Sequence, residues 1–167
     1  MKKILLILGC CLLVVLIVFG KSRYTSHPTN DGMLYFFYPT QVGGSQNGAT
    51  FTYDLTYLHP SDTCTLNFSL HTPHKGEVTE LTLHSDAGEL RDTTLIRYYI
   101  EPNSKGLEYR MHAAFDFPGL LKLFLADAPL SFRVVQGGTA TEYTYSPAKW
   151  KKERIRMEEF HEILQMP

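Results

Sequence analysis

The stretch ATFTYDLTY, residues 49–57, decides the fold of this chain. Its odd positions are apolar or aromatic, and its even positions hold three threonines and one aspartate. Successive side chains of a β-strand point to opposite faces, so this alternation predicts a strand with one buried side and one polar side. The same pattern returns in residues 64–71 and 107–115. These three segments indicate an antiparallel β domain with half-buried strands.

Five further segments have weaker strand patterns. They lie at residues 33–38, 77–84, 94–100, 131–136 and 139–145. Gly137 and Gly138 separate the last two as a hairpin turn, because glycine tolerates the positive φ that such turns require. Residues 102–106 predict a longer hairpin loop, and the glycine-rich residues 41–48 predict a flexible one. About eight short strands separated by turns predict a mainly β fold, either an antiparallel β-sandwich or an open barrel.

Two segments show helical periodicity instead. Residues 117–126 place leucines and Phe124 at helical spacing, which predicts a short helix that caps one mouth of the sheet. Ser146 and Pro147 are typical of the N-cap and first position of a helix. They begin a predicted C-terminal amphipathic helix over residues 147–165, whose apolar stripe must be covered by the sheet or by another protein.

The amino-terminal segment predicts contact with a membrane. Lys2 and Lys3 precede an unbroken apolar run at residues 4–19. Residues 1–20 are therefore either a secretory signal peptide, cleaved near Gly20, or a retained signal anchor that holds the chain in the inner membrane. The two alternatives leave different mature proteins, but both export the rest of the chain.

A lipoprotein is a third interpretation of the same segment. Residues 7–10, Ile-Leu-Gly-Cys, look like the lipobox of bacterial lipoproteins, which makes Cys10 a candidate for lipidation. The apolar run continues past Cys10, however, where a lipidated cysteine would be followed by a polar tether. A polar tether is predicted further along the chain, at residues 21–32, and it leads into a single domain at residues 33–167.

Composition excludes some classes of partner and bond. Residues 24–146 hold seven Lys plus Arg and thirteen Asp plus Glu, a net charge of −6, which is a poor match for nucleic acid. Of the three cysteines, Cys10 and Cys11 lie in the apolar run, so Cys64 has no partner in the domain for an intramolecular disulfide. Because Cys64 begins an alternating strand, it is expected to be a buried structural thiol.

Histidines are the candidates for metal binding. His71 and His74 are the densest pair, but they stand where a strand runs into a loop, without the carboxylate or thiolate support of a typical site. Two exposed histidines are therefore the favoured interpretation, and no cofactor is predicted. His59, Asp62 and Cys64 form a second, looser cluster, which is interpreted as a turn.

Aromatic residues are the candidates for ligand binding. The chain holds ten Tyr and ten Phe, residues 35–38 are consecutive aromatics, and Tyr98 adjoins Tyr99. The favoured interpretation is that both faces of these strands are covered. The alternative is an exposed tyrosine surface for sugar, peptide or lipid, formed by Tyr35, Tyr38, Tyr98 and Tyr99.

These observations favour a noncatalytic binding or assembly protein of a bacterial cell envelope, with an envelope protein or surface ligand as its partner. It would be a single-pass protein with a periplasmic domain, or secreted after cleavage. An envelope hydrolase or metal-dependent enzyme is the first alternative, and it would use some of the residues His59, Asp62, His71 and His74. A carbohydrate-binding module that uses Tyr98 and Tyr99 is the second.

Overall fold

The computed structural model describes residues 23–104 and 106–166 of the chain. Eleven strands and two helices lie within these ranges. In chain order they are β1 (Tyr24–Thr29), β2 (Gly32–Phe37), β3 (Thr40–Gln46), β4 (Ala49–His59), β5 (Thr63–Thr72), β6 (Val78–Ser85), β7 (Gly88–Asp92), β8 (Ile96–Asn103), β9 (Gly106–Asp116), α1 (Phe117–Phe124), β10 (Ser131–Gln136), β11 (Thr139–Thr144) and α2 (Pro147–Leu164). The prediction of a mainly β fold with two helices is confirmed.

The strands form two antiparallel sheets. The large sheet has seven strands in the order β1-β2-β4-β5-β9-β8, and β3 pairs with the first half of β4. The small sheet has four strands in the order β11-β10-β6-β7. The three strands with the clearest alternation, β4, β5 and β9, are neighbours in the large sheet, and their alternating apolar positions are buried except for the half-buried Leu107.

The core lies between the two sheets and is rich in aromatic rings. The ring of Phe51 on β4 lies 5.1 Å from Phe132 on β10 and 5.4 Å from Tyr143 on β11. Tyr53, two residues along β4, lies 5.0 Å from Phe132. All four side chains are buried. Burial of one such ring stabilises the fold by about 2–3 kcal/mol, so these contacts hold the sheets face to face.

The two predicted helices are present, with bounds close to those expected. Asp116 caps α1, because its carboxylate accepts a hydrogen bond from the Gly119 N–H at 2.7 Å. Ser146 stands at the N-cap of α2, but its side chain makes no capping hydrogen bond. Phe160 of α2 packs against Tyr35 and Phe37 of β2, with ring centroids 5.0 and 4.7 Å apart. The sheet of the same chain therefore covers the apolar stripe of α2.

Three strands lie where the sequence indicated none. β1 falls inside the predicted tether at residues 21–32, so the folded part begins at Tyr24 or before it rather than at Met33. β3 lies in the predicted flexible loop at residues 41–48, and β7 lies between two predicted strands. Gly43 of β3 has φ +61°, and a Cβ there would lie 2.7 Å from the carbonyl oxygen of Thr144. The glycine is needed at this close approach to β11, which no side-chain pattern reveals.

The predictions for the amino-terminal segment lie outside the described residues. They concern the leader at residues 1–20, membrane contact through residues 4–19 and lipidation of Cys10. In the described part of the chain, no helix has the length and apolar character needed to cross a membrane.

Candidate functional site

Polar side chains cover the outer face of the large sheet, the side turned away from the small sheet. In the strand register, Asp54 of β4 stands beside Asn67 of β5, and Asn67 stands beside His112 of β9. In the next row, Ser69 stands beside Arg110. These residues occupy the polar positions of the three strands on which the fold prediction was based. Neighbouring strands therefore bring together groups that lie far apart in sequence.

Hydrogen bonds fix these side chains in place. The Asn67 amide donates to a carboxylate oxygen of Asp54 at 3.0 Å, and the Arg110 guanidinium donates to the other. Arg110 also donates to the Ser69 hydroxyl at 3.4 Å, and that hydroxyl donates to Glu108 at 3.1 Å. Such a connected network is rigid, so it holds its donors and acceptors in one arrangement.

An irregularity in β8 places two tyrosines above this network. Arg97 pairs with Met111 and Tyr99 pairs with Arg110, so Tyr98 is an extra residue with no partner of its own in the ladder. Adjacent residues of a regular strand point to opposite faces, whereas a β-bulge redirects one of them. Here the Tyr98 and Tyr99 side chains both reach the outer face.

The hydroxyl groups of the two tyrosines join the network. Tyr98 donates to Asn67 at 3.3 Å and shares a 2.8 Å hydrogen bond with Nδ1 of His112. Tyr99 donates to Glu108 at 3.1 Å. Desolvation, followed by the hydrogen bond to Glu108, raises the pKa of the Tyr99 hydroxyl, which is the donor in that hydrogen bond. We call the surface formed by Asn67, Tyr98, Tyr99, Glu108 and His112 the tyrosine face.

The rings themselves remain accessible to a ligand. Tyr98 is 54 % exposed and Tyr99 is 38 % exposed. Large exposed apolar groups that adjoin fixed polar groups are typical of binding surfaces. Asp54 and Glu108 both accept hydrogen bonds from neighbouring side chains, which fixes their orientation. The arrangement suits noncovalent binding.

The other two tyrosines proposed as binding residues lie elsewhere. Tyr35 is only 8 % exposed, because α2 covers its side of β2 and Phe160 packs on its ring. The structure therefore excludes Tyr35 from an exposed surface. Tyr38 is 46 % exposed but follows the end of β2, and β4, β5 and β9 separate that strand from β8. Only Tyr98 and Tyr99 of the four predicted tyrosines come together.

The histidines do not form one cluster. His71 lies on the outer face, with Nδ1 3.0 Å from the Asn103 amide nitrogen and 3.8 Å from Glu108. His74 is exposed in the loop after β5. His59 ends β4, and Thr50 at the start of that strand pairs with His71, so nine residues of strand separate the two, roughly 30 Å. No group of three or more His, Cys, Asp or Glu side chains fit to hold a metal ion occurs within residues 23–104 and 106–166.

The residues of the second predicted cluster have structural surroundings. Cys64 is 1 % exposed, and burial raises the pKa of its thiol to about 12, which confirms the prediction of a buried structural thiol. Asp62 is exposed in the turn, where the hydroxyl of Ser61 accepts a hydrogen bond from the Thr63 N–H at 3.0 Å. In this turn the Ser61 hydroxyl therefore satisfies the backbone N–H of Thr63.

Sequence reasoning identified Tyr98 and Tyr99 but missed the network beneath them. Asp54, Asn67 and His112 were visible as polar positions of predicted strands. The order of the strands in the sheet, which brings them together, was not visible.

Comparison of the chain with protein-family models, with curated proteins and with solved structures finds no match. The chemistry of the tyrosine face is therefore the basis for assigning a function.

Proposed function

We propose that the chain is a noncatalytic binding protein of a bacterial cell envelope. In this proposal residues 1–20 export the domain, and residues 4–19 either hold it in the inner membrane or are removed by cleavage near Gly20. The domain is a β-sandwich, since rings from the two sheets interdigitate in one core. Its partner is another envelope protein or a surface ligand.

The tyrosine face is the proposed binding surface. The observation that supports it is the bulge in β8, which turns Tyr98 and Tyr99 to the same side. A bulge leaves one residue without a ladder partner and is often found beside functional sites. Tyrosine supplies contact area and a hydrogen-bonding group with little conformational entropy to lose, as binding surfaces require.

A carbohydrate is the ligand that this surface fits best. A sugar ring has an apolar face of C–H groups, which can pack on the exposed rings of Tyr98 and Tyr99, and an edge of hydroxyl groups. The amide of Asn67, the carboxylate of Glu108 and the imidazole of His112 stand beside those rings and can exchange hydrogen bonds with hydroxyl groups. This juxtaposition favours the carbohydrate-binding alternative over an enzyme.

A glycan array tests the ligand class. The full chain in mild detergent should bind a subset of glycans, and Tyr98→Ala and Tyr99→Ala should each weaken that binding by about tenfold or more, as loss of a central aromatic contact does. Tyr38→Ala is the matched control, because it removes an exposed tyrosine from a distant part of the sheet, and it should bind like the wild type.

Three results would contradict these proposals. A blank array with folded protein would overturn the carbohydrate ligand. Capture of envelope proteins that is equal for wild type, Tyr98→Ala and Tyr99→Ala would exclude the tyrosine face as the surface for a protein partner. Breakdown of the bound glycans during incubation, lost on substitution of His71, would replace the noncatalytic role with a hydrolase.

A further inference from the structure

The charges on α2 are arranged against the helix dipole. Its first half, residues 147–156, holds five Lys and Arg and one Glu, and its second half, residues 157–164, holds three Glu and neither Lys nor Arg. The first turn has no acidic residue. Cations are unfavourable near the amino terminus of a helix and anions near its carboxyl terminus. Two of these cations, Arg154 and Arg156, form ion pairs with nearby carboxylates. Proteins break such local rules mainly where function requires it.

The cations border a groove between α2 and the first two strands. The groove encloses about 660 Å³. Arg23, Lys152 and Arg156 provide its basic side chains, and Phe37, Ile155 and Ile163 provide apolar ones. The groove thus combines positive charge with an apolar wall, which the surface of a purely structural helix does not require.

The charge of this region is positive after its carboxylates are counted. Glu153 and Glu159 also line the groove, and a neighbouring cleft of about 180 Å³ adds Lys149. Four cations therefore face two carboxylates, a net charge of +2. One of these carboxylates, Glu153, already accepts a hydrogen bond from Arg156 at 3.2 Å. Residues 24–146, by contrast, carry a net charge of −6.

The groove lies where the chain leaves the described domain toward the apolar run. Arg23 lines the groove, and the run at residues 4–19 ends four residues before it. Four residues span at most about 14 Å. If residues 4–19 remain in the bilayer as an anchor, which is the first alternative of the proposed function, the groove lies close to the lipid headgroups.

We propose that this groove binds an anionic phospholipid of that bilayer. The phosphate lies against Arg23, Lys152 and Arg156, and one acyl chain lies along Phe37, Ile155 and Ile163. An anionic lipid combines the two features that line the groove, negative charge and an apolar chain. The inference rests on the proposed membrane anchor at residues 4–19 and is independent of the tyrosine face.

Native mass spectrometry of the full chain tests this inference. The protein is released from non-ionic detergent micelles that contain equal amounts of dioleoyl phosphatidylglycerol and dioleoyl phosphatidylcholine, and the lipids retained by each chain are counted. The wild type should retain phosphatidylglycerol in preference. Lys152→Gln and Ile163→Gln should each reduce that retention severalfold.

Two substitutions provide matched controls. Lys151→Gln makes the same charge change one residue away, and Ile96→Gln makes the same apolar-to-polar change on the exposed edge strand β8; neither residue lines the groove. Both should retain phosphatidylglycerol like the wild type. Circular dichroism of each variant verifies that it is folded.

The same spectra distinguish failure of the lipid site from failure of the proposed membrane anchor. Equal retention of the two lipids, retention of neither, or an equal loss in Lys151→Gln and Lys152→Gln would overturn the lipid site, even in a chain that still begins at Met1. A chain that begins at Lys21 and retains phosphatidylglycerol selectively would overturn the membrane anchor and leave the lipid site supported.

Discussion

Asp92 shows how a single buried carboxylate can join the two sheets. The residue ends β7 in the small sheet, and one of its oxygens accepts hydrogen bonds from the N–H and hydroxyl of Thr94 at 2.6 and 2.7 Å. Its other oxygen accepts a hydrogen bond from the N–H of Ala114, on β9 of the large sheet, at 2.9 Å. Desolvation acts to raise the pKa of Asp92, but the hydrogen bonds from Thr94 and Ala114 outweigh it and lower the pKa.

Asp92→Asn should therefore destabilise the protein, by about 1.5–3 kcal/mol at neutral pH, because an amide nitrogen cannot accept the bonds that one carboxylate oxygen accepts. A lowered pKa adds stability above the ordinary Asp value near 3.9, and this is lost as pH falls through the folded-state pKa. Urea unfolding of wild type and variant should thus differ most near pH 7 and converge in acid.

Asp127→Asn is the control for this substitution. Asp127 is highly exposed and forms a surface ion pair with Arg154, so its replacement should change the free energy of unfolding by less than about 1 kcal/mol. A difference between wild type and Asp92→Asn that stays constant with pH would show that the charge of Asp92 does not contribute.

At the scale of the elements, Phe160 makes the aromatic contacts between α2 and the large sheet. Phe160 is fully buried and packs against Tyr24 of β1, Tyr35 and Phe37 of β2, and Tyr57 of β4. No comparable ring of α2 reaches these strands in the described part of the chain: Trp150, the other buried aromatic of the helix, packs against Phe124 and Tyr145 instead. Phe160 is therefore the aromatic side chain that attaches the carboxyl half of α2 to the sheet.

Phe160→Ala should cost about 3–5 kcal/mol, because it removes a buried ring and leaves a cavity that three strands border. Thermal unfolding followed by circular dichroism measures this loss. Ile163→Ala, one turn further on and partly exposed, should cost less than about 1.5 kcal/mol. Equal losses for the two variants would mean that general helix contacts, and not the ring of Phe160, attach α2.

The burial of each strand explains whether the sequence predicts it. All eight segments predicted as strands are strands in the structure, and every one except β8 has buried positions that face a core. β1 and β7 lie at the edges of their sheets, and most of their side chains are exposed, so neither has the alternation of a half-buried strand. β3 contains two glycines, which carry no pattern at all.

The tyrosine face was only partly predictable for a related reason. Tyr98 and Tyr99 are both aromatic, so composition cannot show that a bulge turns them to one side. The bulge depends on the register with β9, which is a property of the pairing and not of either strand alone. Asn67 and His112 were predicted on polar faces, but their proximity to Tyr98 depends on the strand order.

At the scale of the whole molecule, one buried cluster connects the two sheets and α2. The hydroxyl of Tyr53, on the large sheet, lies 2.7 Å from that of Tyr145, which comes directly after the last strand of the small sheet. Tyr53 also donates to Glu153 of α2 at 3.5 Å. Desolvation is the main cause that raises the pKa of both tyrosines, and the negative charge of Glu153 acts in the same direction.

This cluster predicts how stability falls in alkali. Above the ordinary tyrosine pKa near 10, the unfolded chain releases protons that Tyr53 and Tyr145 still hold when folded, so the free energy of unfolding falls as pH rises. Tyr53→Phe/Tyr145→Phe should be within about 1 kcal/mol of wild type at pH 7, since both partners of the hydrogen bond become apolar and Glu153 keeps its ion pair with Arg156. Between pH 10 and 11.5, however, the free energy of unfolding of the double variant should fall less steeply than that of the wild type. The difference in slope should be up to about 1.4 kcal/mol per pH unit for each tyrosine removed. Urea unfolding at a series of pH values measures both quantities, with Tyr38→Phe as the exposed control that should keep the wild-type slope. An unchanged slope in the double variant would show that these two buried hydroxyls do not govern alkaline unfolding.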